Sequence, residues 1–132
     1  MTRVNLSLRD YQVFRAVGDD LPETLATAYR AHAQGSDILR VAKHNGAVIG
    51  AYAMTAPESG ETEFTLQMLN VLPPYRGNGI GRWLVGHAIG VAETKGGQSL
   101  WVPMADHSAL LEGMRFTRQV SPSGYRFPMI ME

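Results

Sequence analysis

The 132 residues, 45% of them hydrophobic and 18% charged, have the size and composition of one globular domain rather than a disordered chain. Twelve Lys+Arg against twelve Asp+Glu argue against a nucleic-acid binder that works by phosphate neutralisation, and against a polybasic hold on a membrane. The absence of cysteine excludes disulfides, a thiol nucleophile and any Cys-based zinc site, and no apolar run reaches the roughly 18 residues of a membrane span.

The opening MTRVNLSLRDYQ has no apolar signal-peptide core, so a cytoplasmic location is expected. Residues 4–8 alternate, with Val4, Leu6 and Leu8 on one side, and read as a first strand. Asp20, Pro22 and Glu23 form a capping-box pattern that opens a helix running toward Ala33, with Gly35 as its stop. Residues 38–44 and 47–55 flank Asn45-Gly46, a dipeptide that tolerates positive φ at both positions and so predicts a type I′ hairpin. After a polar loop, residues 63–71 (EFTLQMLNV) read as a strand, which Pro73-Pro74 cannot continue for want of backbone donors.

A glycine-rich loop then leads into a helix over residues 79–94, where Ile80, Leu84, Ala88 and Val91 fall on one stripe. Gly86 and Gly90 inside that helix are expected to allow close approach to the sheet. Residues 100–104 predict a short strand and 108–114 a short helix. Residues 116–120 and 125–130 form a closing hairpin around Pro122-Ser123-Gly124. No repeat, low-complexity segment or long linker interrupts the series, so residues 1–132 are expected to be a single mixed α/β domain.

The neutral total conceals an asymmetry. Residues 1–63 carry six basic and eight acidic side chains, residues 64–132 six and four, and residues 64–92 have no carboxylate while holding Arg76 and Arg82. Within that stretch Gly77, Gly79 and Gly81 alternate just ahead of the helix. Glycines let several backbone N–H groups turn toward one point, and the first helical turn adds unpaired donors and the positive end of its dipole. The result is an anion cradle suited to a pyrophosphate. It is not a Walker A loop, since no lysine lies between Lys43 and Lys95. It is not a GxGxxG fingerprint either, since Arg82 and Leu84 stand where the third glycine would fall.

The run Arg76-Gly77-Asn78-Gly79-Ile80-Gly81 fits Arg-x-x-Gly-x-Gly and resembles the acyl-CoA signature of the GNAT superfamily of N-acetyltransferases. Val71, Tyr75, the apolar helix after Gly81 and the segment ending in Phe116 extend the resemblance, and the order of elements agrees over nearly the whole chain. The resemblance implies a mixed, mostly antiparallel central sheet flanked by helices, whose splayed central strand receives acyl-CoA. Backbone groups at Leu69, Asn70 and Val71 would then pair with the pantetheine arm. The amides of Gly77, Asn78, Gly79, Ile80 and Gly81, with Arg76 and Arg82, would take the pyrophosphate. The implied reaction is direct attack of a primary amine on acetyl-CoA, the co-substrate, with no metal; the acceptor is a small-molecule amine or a peptide or protein amine. The alternative is a GNAT-fold module that binds acyl-CoA as a regulator without turnover.

Three positions depart from the pattern. Leu111 stands where the family places its acidic Tyr, Asp106 where Asn is usual, and Arg115 where Gly precedes Phe. Glu63 is the expected base, and Tyr125, Ser108 or water the expected acid. Only about 28 residues separate the first two predicted strands, which under the resemblance implies an open acceptor groove. Glu58, Glu61 and Glu63 would attract a cationic amine or are simply solvated. His32, His44, His87 and His107 lack metal-ligand spacing. Met129-Ile130-Met131 either covers the sheet or meets a second copy, which leaves a homodimer open.

Overall fold

Both periodicities, two for strands and 3.6 for helices, are realised in the computed structural model, which describes residues 12–103 and 107–129. Among the described residues seven strands form one sheet: β1 (Gln12–Arg15), β2 (Ile38–His44), β3 (Ala47–Thr55), β4 (Glu63–Val71), β5 (Ser99–Val102), β6 (Thr117–Val120) and β7 (Ser123–Pro128). Their order is β1-β2-β3-β4-β5-β7-β6, and every described pairing is antiparallel except β4 with β5. Helix α1 (Glu23–His32) covers one face, where Leu25 and Ala26 pack on Val41, Ala53 and Met68. Helix α2 (Ile80–Thr94) covers the other, placing Ile80, Leu84, Val85 and Ala88 over Tyr52, Leu66 and Leu69. A short α3 (Ser108–Gly113) adds Leu111 to that second core. No described helix is long and apolar enough to cross a membrane.

Strand β4 is buried on both faces, and its side-chain parity changes midway. Phe64 and Leu66 face α2, and so do Leu69 and Val71, three and five residues beyond Leu66, while Met68 faces α1. A regular strand cannot do this, because its faces alternate strictly. The pairing with β3 supplies the answer: Ala53 opposes Met68 and Met54 opposes Leu66, so Gln67 is an extra residue, a β-bulge that resets the parity.

The Asn45-Gly46 hairpin is as expected, with φ of 51° and 80°. The strand expected over residues 4–8 lies outside the described residues. Elsewhere the structure corrects the sequence reading, and β1 at Gln12–Arg15 was not anticipated. Asp20 does not cap α1; its carboxylate accepts from the N–H of Val17 at 2.9 Å, bracing a 3-10 turn, and Pro22 precedes the helix. Gly86 and Gly90 do not sit against the sheet, since a Cβ at either would meet nothing within 4 Å. The closing hairpin turns at Ser121-Pro122, so Ser123 and Gly124 belong to β7. Gly124 has a packing reason: a Cβ there would lie 2.6 Å from the Trp101 ring and 2.7 Å from the Val102 carbonyl. Gly124→Ala is therefore expected to cost about 1–3 kcal/mol by overpacking, read as a lower midpoint in urea unfolding. An unchanged midpoint would show that the Trp101 ring yields without cost.

Candidate active site

The site begins with unequal pairing of β4. Against β3 it pairs along its length, from Thr55↔Thr65 to Gly50↔Val71. Against β5 it pairs only from Glu63↔Ser99 to Thr65↔Trp101, after which the two strands part. The closed end of this fork is locked by side chains. Glu63 accepts from Arg126 Nε at 2.7 Å, from Arg126 Nη2 at 3.1 Å and from the Ser99 hydroxyl at 2.7 Å. The Arg126 guanidinium also lies over the Trp101 ring, 4.9 Å from its centre. The Arg126 hydrogen bonds, against a smaller opposing effect of burial, hold the Glu63 carboxyl below its ordinary range.

At the open end, β4 leads through a 3-10 turn (Pro73–Tyr75) into the glycine loop. Gly77 and Gly79 take φ of 83° and 79°, values that L side chains adopt only with strain. Asn78 braces the loop by donating from Nδ2 to the Tyr75 carbonyl at 2.8 Å. The first helical bond of α2 runs from the Trp83 N–H to the Gly79 carbonyl at 3.0 Å, so the N–H groups of Ile80, Gly81 and Arg82 have no intrahelical partner. Arg76 folds back on β4, donating from Nε to the Val71 carbonyl at 2.8 Å and reaching the Asn70 side-chain oxygen at 3.5 Å. Gly81 lets α2 close on α3, because its Cβ would stand 3.2 Å from Leu110.

Two cavities meet in the fork. One, of about 300 Å3, is lined by Leu69, Asn70, Val71, Arg76, Gly77, Gly79, Gly81 and Arg82, together with His107 and Leu110. The other, of about 480 Å3, opens toward α1 and is lined by Ala28, His32, Gln67 and Met68, then by Leu69, Asn70, Arg76 and His107, which both cavities share. His107 Nε2 lies 2.8 Å from the Leu69 carbonyl. A carbonyl only accepts, so that nitrogen carries a proton. Gln67, the bulge residue, accepts from the hydroxyls of Ser36 and Thr55, each at 2.7 Å, which fixes the wall facing α1.

Eight residues expected at the cofactor site therefore line one cavity. Of the remaining two, Asn78 shapes the loop from behind, and the Ile80 side chain is buried in the core while its backbone opens α2. Glu63 and Tyr125 line neither cavity. Glu63 is six residues from Leu69 along β4, about 20 Å at ordinary strand rise. The Tyr125 hydroxyl donates to Glu112 at 2.8 Å, and that carboxylate raises the phenol above its usual value. Asp106 lies outside the described residues. His107, His32 and Gln67 were not singled out for the site from the sequence; only the place of His107 right after the fifth strand signalled it. Among the described residues no group of three or more His, Asp or Glu side chains could hold a metal ion.

Comparison with known proteins is consistent with this geometry. The Acetyltransferase (GNAT) family matches residues 5–111. The fold is similar to an IAA acetyltransferase from Bacillus cereus (TM-score 0.65, 22% identity, 83% of this chain and 78% of that one). It is similar to a GNAT family N-acetyltransferase from Escherichia coli in complex with CoA (TM-score 0.71, 16% identity, 92% and 82% covered). A GNAT family acetyltransferase from Brucella melitensis in complex with acetyl-CoA is also similar (TM-score 0.68, 14% identity, 92% and 90% covered). No curated protein sequence matches the chain.

The lock at the closed end is testable through pH. A carboxyl whose pKa is lower folded than unfolded adds stability that is fully present above its ordinary value, near 4.5, and is lost as pH falls through the depressed value. Glu63→Gln should lower the thermal midpoint at pH 7, with the gap to wild type closing below about pH 4. A gap that stays constant with pH would show that the Glu63 charge contributes nothing.

Proposed function

The chain belongs to the GNAT acetyltransferase family, and on that premise we propose that it moves an acetyl group from acetyl-CoA to a primary amine held in the larger cavity. The observation that carries this reading is the continuity of fork and loop. The edge of β4 that β5 leaves unpaired leads, through the Pro73–Tyr75 turn, into the positive-φ glycines and the first turn of α2, all around one cavity.

The residues present fit the donor. Leu69 and Val71 turn their backbone groups to the open side of β4, as their carbonyl contacts with His107 and Arg76 indicate, so an extended amide-bearing arm finds strand-like partners there. The N–H groups at the start of α2, with Arg76 and Arg82 beside them, suit its pyrophosphate. Acetyl-CoA, when bound there, would supply the acetyl group as a reactive thioester and leave as the CoA thiol. The larger cavity, walled by α1 through Ala28 and His32, takes the acceptor from the opposite side.

Transfer forms a C–N bond and breaks a C–S bond; the nitrogen gives up a proton and the sulfur gains one. Leu111, in the place that resembles the family's tyrosine, is wholly buried and has no proton to give. We assign the sulfur's proton to His107, whose Nε2–H stands where the two cavities join, and the acceptor's proton to His32 in the larger cavity. Backbone N–H groups on the open edge of β4 stabilise the charge that develops on the carbonyl oxygen.

Acetyl-CoA at a hundredfold excess over its Kd should stabilise the chain by about 2.7 kcal/mol in thermal unfolding, and Gly79→Glu should remove that gain by placing a carboxylate in the cradle. Absence of any shift with acetyl-CoA or CoA would overturn the reading. With an accepted amine, His107→Gln should lower kcat about a hundredfold with KM little changed, and an unchanged kcat would remove His107 from proton transfer. Binding without turnover across a broad amine panel would favour the regulatory acyl-CoA-binding module.

A further inference from the structure

At the β1 side of the sheet, on the α2 face and away from the fork, lies a third cavity of about 430 Å3, a volume in the range of small-molecule sites. Arg15, Arg40 and Lys95 converge on it, and among the described residues no carboxylate lines it. Arg15 and Arg40 are direct cross-strand partners in the β1–β2 pair, and like charges placed so destabilise a sheet unless something stands between them. Among the described residues, neither arginine nor Lys95 belongs to an ion pair. Arg40 spends one donor, Nη1, on the Leu39 carbonyl at 3.0 Å, and no other hydrogen bond among the described residues engages its fork.

Among the described residues the floor of the cavity offers no counter-charge. Tyr52, next to Arg40 across β2–β3, meets His87 Nδ1 through its hydroxyl at 2.8 Å. Burial first, and Arg40 second, hold His87 below its ordinary pKa, so it is neutral at pH 7. The rim is open for a reason that packing does not supply. Gly90 sits mid-helix, where it costs about 1 kcal/mol relative to Ala, yet an added Cβ would touch nothing within 4 Å.

We propose that this cleft binds a small multivalent anion, a phosphate or a polycarboxylate, held by Arg15, Arg40 and Lys95. Guanidinium forks match both kinds of oxygen pair, and a bound anion would turn the Arg15–Arg40 repulsion into a shared attraction. The site is separate from the acetyl-CoA cradle and does not rest on the proposed reaction.

Calorimetric titration of the full chain with inorganic pyrophosphate, and separately with citrate, tests it, with CoA present in excess to occupy the glycine loop. One site per chain is expected for at least one of the two anions, and the tighter of the two identifies the phosphate or carboxylate class. Arg15→Gln/Lys95→Gln, which alters exposed side chains only, should weaken binding at least tenfold. Gly90→Leu, which fills the rim while improving helix propensity, should weaken it as well. If the loop does not hold CoA, the same titration without it still isolates the part that Arg15→Gln/Lys95→Gln removes. No saturable binding of either anion, or equal affinity in wild type and Arg15→Gln/Lys95→Gln, would overturn the proposal.

Discussion

The parting of β4 from β5 is the constraint on which the rest of the site depends. A central strand buried on both faces ordinarily satisfies its backbone on both edges. Here one edge is paired with β3 from Thr65 to Val71, and the other with β5 for three described residue pairs, from Glu63 to Thr65. The closed end is held by a charge-assisted cluster, Glu63 with Arg126 and Ser99, and by the stacking of Arg126 on Trp101. The open end is held by α2 and α3, which pack on each other through Gly81 and Leu110. Between these two anchors the two strands stay apart.

The bulge at Gln67 belongs to the same design. By adding one residue it returns Leu69 and Val71 to the α2 core, and so turns their backbone groups to the side from which β5 has withdrawn. Arg76 and His107 then occupy the two exposed carbonyls, each at 2.8 Å. Both contacts come from single side chains rather than from a paired strand. Helix α2 connects the parts, since its first turn borders the glycine loop and its last turns border the cationic cleft.

The conformation of the glycine loop was the most legible part of the sequence, because positive φ is cheap only for glycine, and Gly77 and Gly79 both take it. The Asn45-Gly46 turn was legible for the same reason. The fork was reached through resemblance, since its cause is a mismatch in length between two strands distant in sequence. The parity change at Gln67 was present in the string EFTLQMLNV, but alternation alone does not say which residue is extra. Beta strand Gln12–Arg15 was missed because four residues with two charged or polar side chains carry too little period to read. Glu63 was singled out by its nearness to the central strand, and only the fold shows it beside Arg126, 63 residues away. His107 was passed over because a lone histidine in a loop has no pattern, and its meaning comes from Leu69, 38 residues earlier.

The sheet also distributes its edges unequally. The outermost described strands, β1 and β6, are only four residues long, and each carries an arginine, Arg15 and Arg118. Short charged borders give a neighbouring molecule little to zip onto. The long stretch of β4 that lacks a strand lies instead in the interior of the sheet, between two helices and two flanking strands. A cleft of that shape admits a single thin chain and bars a second sheet. An unpaired stretch held inside the sheet in this way is shielded from edge-to-edge pairing with another sheet.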